Sequence, residues 1–160
     1  MKLNKLKLII SAIILSLLTY HILWFINYQQ FSKPGGYLKG YRNYSKEVDN
    51  LIISYKPPTY PSFSGNYAVT SDKGEITIIV WPKRLFRNET RIGLMIYDEV
   101  SEKGYNFYVN QNLDYNEKLS NLDEIKKKEA QELQVKKKEK IKKFLKALER
   151  ELEYSLELTK

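Results

Sequence analysis

The chain has 160 residues, a net charge of +8 from 27 Lys+Arg against 19 Asp+Glu, one histidine and no cysteine. That length holds one modest domain plus an anchor and excludes two independent cores. The missing cysteine excludes disulfides, thiolate nucleophiles, cysteine zinc sites and a lipobox together.

Residues 1–7 are a basic tail carrying Lys2, Lys5 and Lys7, and no charge follows from Leu8 to Ile26. As a helix this run would span about 28 Å, close to the roughly 30 Å hydrocarbon core of a bilayer. A cleaved signal peptide has a shorter apolar stretch, roughly 7–15 residues, and then a small-x-small cleavage site. Here bulky Trp24, Phe25 and Tyr28 follow instead. The sequence therefore predicts a retained transmembrane signal-anchor over 8–26, with Trp24 and Tyr28 at the outer interface. The three lysines and the terminal amine outweigh Lys33, Lys39 and Arg42 on the far flank, which predicts a cytoplasmic N-terminus and an extracytoplasmic domain. His21 lies inside the anchor with no carboxylate or second histidine in the segment. It is expected to be neutral, bonded to water or a carbonyl near the interface, rather than part of a proton relay.

Residues 27–44 read as a linker, with Pro34 and three glycines, and a small domain is expected over 45–118. Ser45 can cap a helix, and Val48, Leu51, Ile52 and Tyr55 fall at i, i+3, i+4 and i+7, which predicts a short helix stopped by Pro57 and Pro58. "PPTYPSFSG" then serves as an extended connector. "NYAVTSDKGEITIIVW" and "RIGLMIYDEVSEKGYNFYVN" predict a four-stranded antiparallel meander. Both of its tight turns read S-[DE]-K-G, and turn chemistry explains that better than duplication does. Gly74 and Gly104 are each expected in the left-handed conformation that closes such a turn. Alternation puts Ile76, Ile78, Val80, Ile92, Leu94, Ile96, Tyr105, Phe107 and Val109 on the core face, with the short helix as cover. The opposite face carries Thr77, Ile79, Trp81, Met95, Tyr97 and Tyr108. It is too apolar to lie bare: either the start of the C-terminal helix covers it, which is the expected arrangement, or it is an aromatic ligand surface.

Residues 119–160 predict one long basic amphipathic helix, because Ser120 to Leu158 contains no Gly or Pro and is rich in Leu, Lys, Glu and Ala. It would be roughly 58 Å long, more than a small sheet can cover. An early stripe (Leu119, Leu122, Ile125, Leu133) gives way to "QVKKKEK". A second stripe follows at Ile141, Leu145, Leu148, Leu152 and Leu156, about two heptads in a different register. That stripe is the expected seam for a protein partner or a second copy of the chain. The fold class is therefore α+β: an N-terminal transmembrane helix, a short helix on a four-stranded meander, and a long charged C-terminal helix.

Two basic clusters offer contacts for an anion. One is Arg84 and Arg87 between the second and third expected strands. The other is Lys136, Lys137, Lys138, Lys142 and Lys143, within a segment from Lys126 to Lys146 where ten lysines oppose three glutamates, a balance of +7. A lysine face can equally be plain solvation. Nucleic acid is not the expected partner, since no base-stacking or base-reading motif accompanies the lysines. Catalysis finds no support: there is no S-x-x-K pair, no histidine outside the apolar run, no zinc ligand set and no glycine-rich phosphate loop. "NQNLDYNE" has oxygen side chains at alternate positions but lacks the glycine and the final glutamate of a calcium loop. No catalytic residue, metal or cofactor is expected. The function predicted is a membrane-anchored, extracytoplasmic, non-enzymatic interaction domain acting through its C-terminal helix on a protein, on itself or on the cell envelope. The alternative is a cytoplasm-facing basic protein bound to nucleic acid or to an anionic membrane.

Overall fold

The computed structural model describes residues 2–32, 44–83 and 88–152. Helix α1 (Lys2–Ser32) is followed by strands β1 (Tyr44–Val48), β2 (Leu51–Lys56), β3 (Asn66–Ser71), β4 (Ile76–Trp81), β5 (Arg91–Asp98) and β6 (Lys103–Val109), then helices α2 (Glu124–Lys136) and α3 (Lys138–Leu152). The six strands form one antiparallel sheet in chain order, so the fold is α+β with two more strands than the sequence predicts.

The additional strands replace the expected short helix. Asp49 (φ 51°) and Asn50 (φ 62°) are consecutive left-handed residues. They make the tight two-residue turn whose twist suits a hairpin, and Asp and Asn tolerate that conformation better than most residues. Leu51, Ile53 and Tyr55 then point into the core while Ile52 faces out. Pairing of β2 with β3 from Leu51↔Ser71 to Lys56↔Asn66 decides between helix and strand.

The nine residues assigned to the core face are all buried. Gly74 adopts φ +70°, and its N–H donates to the Ser71 carbonyl at 2.8 Å. Gly104 does not follow: it lies inside β6 opposite Tyr97, and Glu102 takes the positive φ (54°) instead. The two S-[DE]-K-G tetrads thus build different turns.

The C-terminal region is two helices rather than one. Asp123 caps α2 by accepting from the Lys126 N–H at 2.9 Å. The chain breaks at Lys137 (φ −102°, ψ 9°), inside the "QVKKKEK" stretch where the apolar stripe lapses. The bend lets α3 lie on β3 and β4 while α2 lies on β5. Ala130 and Leu133 from α2, and Ile141, Phe144, Leu145, Leu148 and Leu152 from α3, join the strand residues in one core. Four members of the expected partner seam, Ile141, Leu145, Leu148 and Leu152, are therefore at most 3% exposed and serve the domain's own packing. The seam was expected to project because a straight helix outruns the sheet; a bent one does not. Leu156 lies outside the described residues.

A polar triad fastens α2 to β6. The Tyr105 hydroxyl donates to Glu129 Oε2 at 2.6 Å and Lys103 Nζ to Glu129 Oε1 at 2.9 Å. The hydrogen bond to Glu129 pushes the Tyr105 phenol up to about 12. Both helices occupy the inner face, so the expected cover of the outer face by the C-terminal helix is not found. Among the described residues that face stays open at Ile52, Met95 and Tyr97. Trp81 partly closes it by lying over Gly93, where a Cβ would come within 3.0 Å of Trp81 Cζ3.

Candidate functional site

Two features stand at opposite ends of β2: a joint between α1 and the domain, and a lysine-bearing cleft. Tyr55, near the end of β2, meets the joint and Leu51, at its start, lines the cleft. They are four positions apart along the strand, about 13 Å.

The joint is built from one face of α1. Tyr20, Trp24, Asn27 and Phe31 recur at helical spacing and meet the loop from Pro57 to Gly65 that links β2 to β3. The Tyr20 hydroxyl donates to the Pro61 carbonyl, Trp24 Nε1 to the Ser62 carbonyl at 2.8 Å, and Asn27 Nδ2 to the Phe63 carbonyl at 3.0 Å. Phe31 is 1% exposed, with ring centroids 5.6 Å from Tyr67 and 6.4 Å from Tyr55. Gly65 makes room for it: a Cβ there would lie 2.7 Å from Phe31 Cε1 and 2.8 Å from the Lys56 carbonyl. His21 stacks on Tyr60 (5.2 Å, 12°), whose ring also meets Tyr20 and Trp24 edge-on. The lone histidine therefore packs against an aromatic ring of the loop. The helix continues through Asn27–Ser32, residues expected to open the linker. On its other faces α1 is exposed and apolar from Leu6 to Ile26, and Lys5–Gln29 is long and apolar enough to cross a membrane.

The cleft, about 750 Å³, lies between α3 and the turns joining β1 to β2 and β3 to β4. Lys140, Lys143, Lys146 and Arg150 border it on one side, Asp49 and Asp72 on the other. Much of the basic charge is already paired. Arg150 Nη2 binds Asp49 Oδ2 at 3.1 Å, and Lys142 binds Glu139 at 3.0 Å. Lys137 and Lys140 each take one oxygen of Glu75. Hydrogen bonds from Lys137 first, and then from Lys140, hold the Glu75 carboxyl below its usual range despite partial burial. Lys137, expected to contact an anionic partner, is instead mostly buried and fastens the helix break to the sheet. Lys136 contributes a smaller share to the lowered pKa of Asp98, which the Ser101 hydroxyl dominates. Lys138, Lys143 and Lys146 form no ion pair among the described residues, so of the predicted cluster Lys143 is the cation free to act in the cleft. Arg84 and Arg87 lie outside the described residues.

The oxygen-rich loop after β6 is occupied with its own turn. Asn110 Oδ1 accepts from the N–H groups of Asn112 (2.9 Å) and Asp114 (2.8 Å), which turns Leu113 into the core at φ 66°. The Leu113 carbonyl accepts from Gln134 of α2.

Sequence reasoning missed the joint. The signal was three hydrogen-bond donors, Tyr20, Trp24 and Asn27, at helical spacing across the outer end of the apolar run, together with an uncharged, proline-rich loop carrying Tyr60 and Phe63. No protein-family model, curated protein or solved structure matches this chain.

Proposed function

We propose that this protein is a single-pass membrane-anchored binding module. In this reading α1 spans the membrane with its lysine-bearing end in the cytoplasm. The α+β domain stands outside, and the cleft along α3 takes an anionic partner, such as an acidic cell-envelope polymer. The observation that carries the reading is Phe31. The last turn of the apolar helix fills a slot in the domain core beside Tyr55, Tyr67 and Gly65. Cleavage near Ser32 would empty that slot, which supports a helix kept with the domain over a discarded leader.

Binding rather than catalysis fits the chemistry of the described residues. The titratable groups with shifted pKa values are spent on structural pairs: Glu75 with two lysines, Glu129 with Tyr105 and Lys103, Asp123 at a helix cap. The unpaired cations Lys143 and Lys146 stand on the solvent side of α3, at the end of the sheet away from the joint. That placement favours a partner beyond the membrane surface over the headgroups beside the anchor. Such contacts are screened by salt over about 8 Å at physiological ionic strength. The test is binding of the detergent-solubilised full chain to a poly(glycerol phosphate) polymer across a salt series. Binding should fall steeply with salt and drop several-fold in Lys143→Gln/Lys146→Gln. Salt-insensitive binding, or an unchanged double variant, contradicts the assignment of the cleft.

A further inference from the structure

If α1 spans a bilayer, as the reading above holds, its docked face has a consequence for the loop. Between Lys7 and the first docked residue, Tyr20, only Leu8–Thr19 are free of the domain. Those residues make about 18 Å of helix, some 12 Å short of a hydrocarbon core of roughly 30 Å. The stretch from Tyr20 to Ile26 must therefore lie within the bilayer for the helix to cross it. Whatever packs on that stretch goes in with it, and what packs there is the tip of the β2–β3 loop, Tyr60 to Phe63.

The loop is chemically fitted to that depth. Irregular backbone in lipid is tolerated only where its polar groups find partners inside the protein. Pro57, Pro58 and Pro61 have no N–H to satisfy. The three consecutive carbonyls of Pro61, Ser62 and Phe63 are each taken by a side chain of α1. The Ser62 N–H donates to the Thr59 carbonyl at 2.7 Å and the Ser64 N–H to Ser62 Oγ at 3.0 Å. No charged residue occurs between Lys56 and Asp72. Tyr60, a large aromatic of the loop that is 52% exposed, stacks on His21. His21 lies about 7–8 Å along the helix from Ile26, one turn inside the interfacial level expected for Trp24 and Tyr28.

We propose that the tip of this loop, residues 59–63, forms a second membrane-inserted element, entering the outer leaflet beside α1 and contacting lipid through Tyr60, Pro61 and Phe63. Two attachments fix the tilt of the domain, whereas one helix followed by a free linker would let it swivel. The lysine cleft is then held pointing away from the bilayer.

The absence of cysteine makes the test clean, because any introduced cysteine is the sole labelling site. Nitroxide spin labels at Ile14→Cys, Thr59→Cys, Tyr60→Cys and Val100→Cys are placed in the full chain in phosphatidylcholine vesicles. Collision with oxygen, which concentrates in lipid, is compared with collision with a water-soluble nickel chelate. The expected result is an oxygen-to-nickel ratio at positions 59 and 60 several-fold above that at 100, with the highest ratio at 14. Thr59 contributes only its backbone carbonyl to the loop, so it reports even if the label at 60 disturbs the stack. A high ratio at 14 with positions 59 and 60 resembling 100 overturns the loop insertion and leaves the spanning helix standing. A low ratio at 14 overturns the spanning helix, and the loop insertion falls with it.

Discussion

Replacing Phe31 by Ala deletes a ring that is 1% exposed and flanked by Tyr55, Tyr67 and Gly65. Phe→Ala in a core costs about 3–5 kcal/mol, more where the walls cannot collapse into the space. Here two walls are residues of β2 and β3, held by the sheet ladder, so the upper part of that range is expected. The assay is urea unfolding of the full-length protein in a mild detergent, followed by tryptophan fluorescence. Gly65→Ala sharpens the test, because its Cβ would press on Phe31 Cε1 at 2.7 Å. Overpacking of this kind costs about 1–3 kcal/mol. Most of that cost should vanish in the Phe31→Ala background, leaving the share due to the Lys56 carbonyl at 2.8 Å. The cycle should therefore show a coupling of about 1 kcal/mol or more. A Phe31→Ala loss below about 0.5 kcal/mol, with Gly65→Ala equally costly in both backgrounds, would refute the docking of α1 into the core.

Leu94 is fully buried on β5 between Ile78 of β4 and Phe107 of β6, so Leu94→Ala should cost about 2–5 kcal/mol, and an unchanged melting temperature would mean the wrong face is inside. Gly74→Val should cost about 1–3 kcal/mol because it forces a branched residue to positive φ, whereas Gly104→Ala should stay within about 0.5 kcal/mol; equal losses would contradict the different turns. The lowered pKa of Glu75 means its stabilisation is complete above the usual carboxylate value of 4.5 and is lost as pH falls through the folded value. Glu75→Gln should accordingly weaken the protein at neutral pH and flatten the acid limb of its stability profile, and an unaltered acid limb would place the acid sensitivity elsewhere.

Parts of this molecule are legible in its letters for plain physical reasons. Alternation in β4, β5 and β6 gathers Ile76, Ile78, Val80, Ile92, Leu94, Ile96, Tyr105, Phe107 and Val109 on one face, and all nine are buried. Gly74 was readable because a tight turn there needs a left-handed residue. The β1–β2 hairpin was not, because Val48, Leu51, Ile52 and Tyr55 satisfy a period of 3.6 as well as alternation of Leu51, Ile53 and Tyr55 satisfies a period of 2. Pairing with β3 settles it, and the local clue was Asp49-Asn50. The break at Lys137 has no Gly or Pro to announce it. Glu75, 62 residues earlier in the chain, grips Lys137, and burial of the α3 stripe favours the bend over a straight helix. The change of register between the two stripes was the trace this left in the sequence. The joint was hidden for the same reason: Tyr20, Trp24 and Asn27 look like interfacial residues until their acceptors, 36 to 41 positions away, are placed beside them.

Retention of α1 is tested most directly by recovering the protein from cell membranes after an alkaline carbonate wash and determining its N-terminus. The expected product stays in the pellet with Lys2, Lys5 and Lys7 still attached, and protease added outside the intact membrane trims the domain but not that tail. A soluble product beginning near Ser32, having lost Phe31 from its core, would contradict the anchored module.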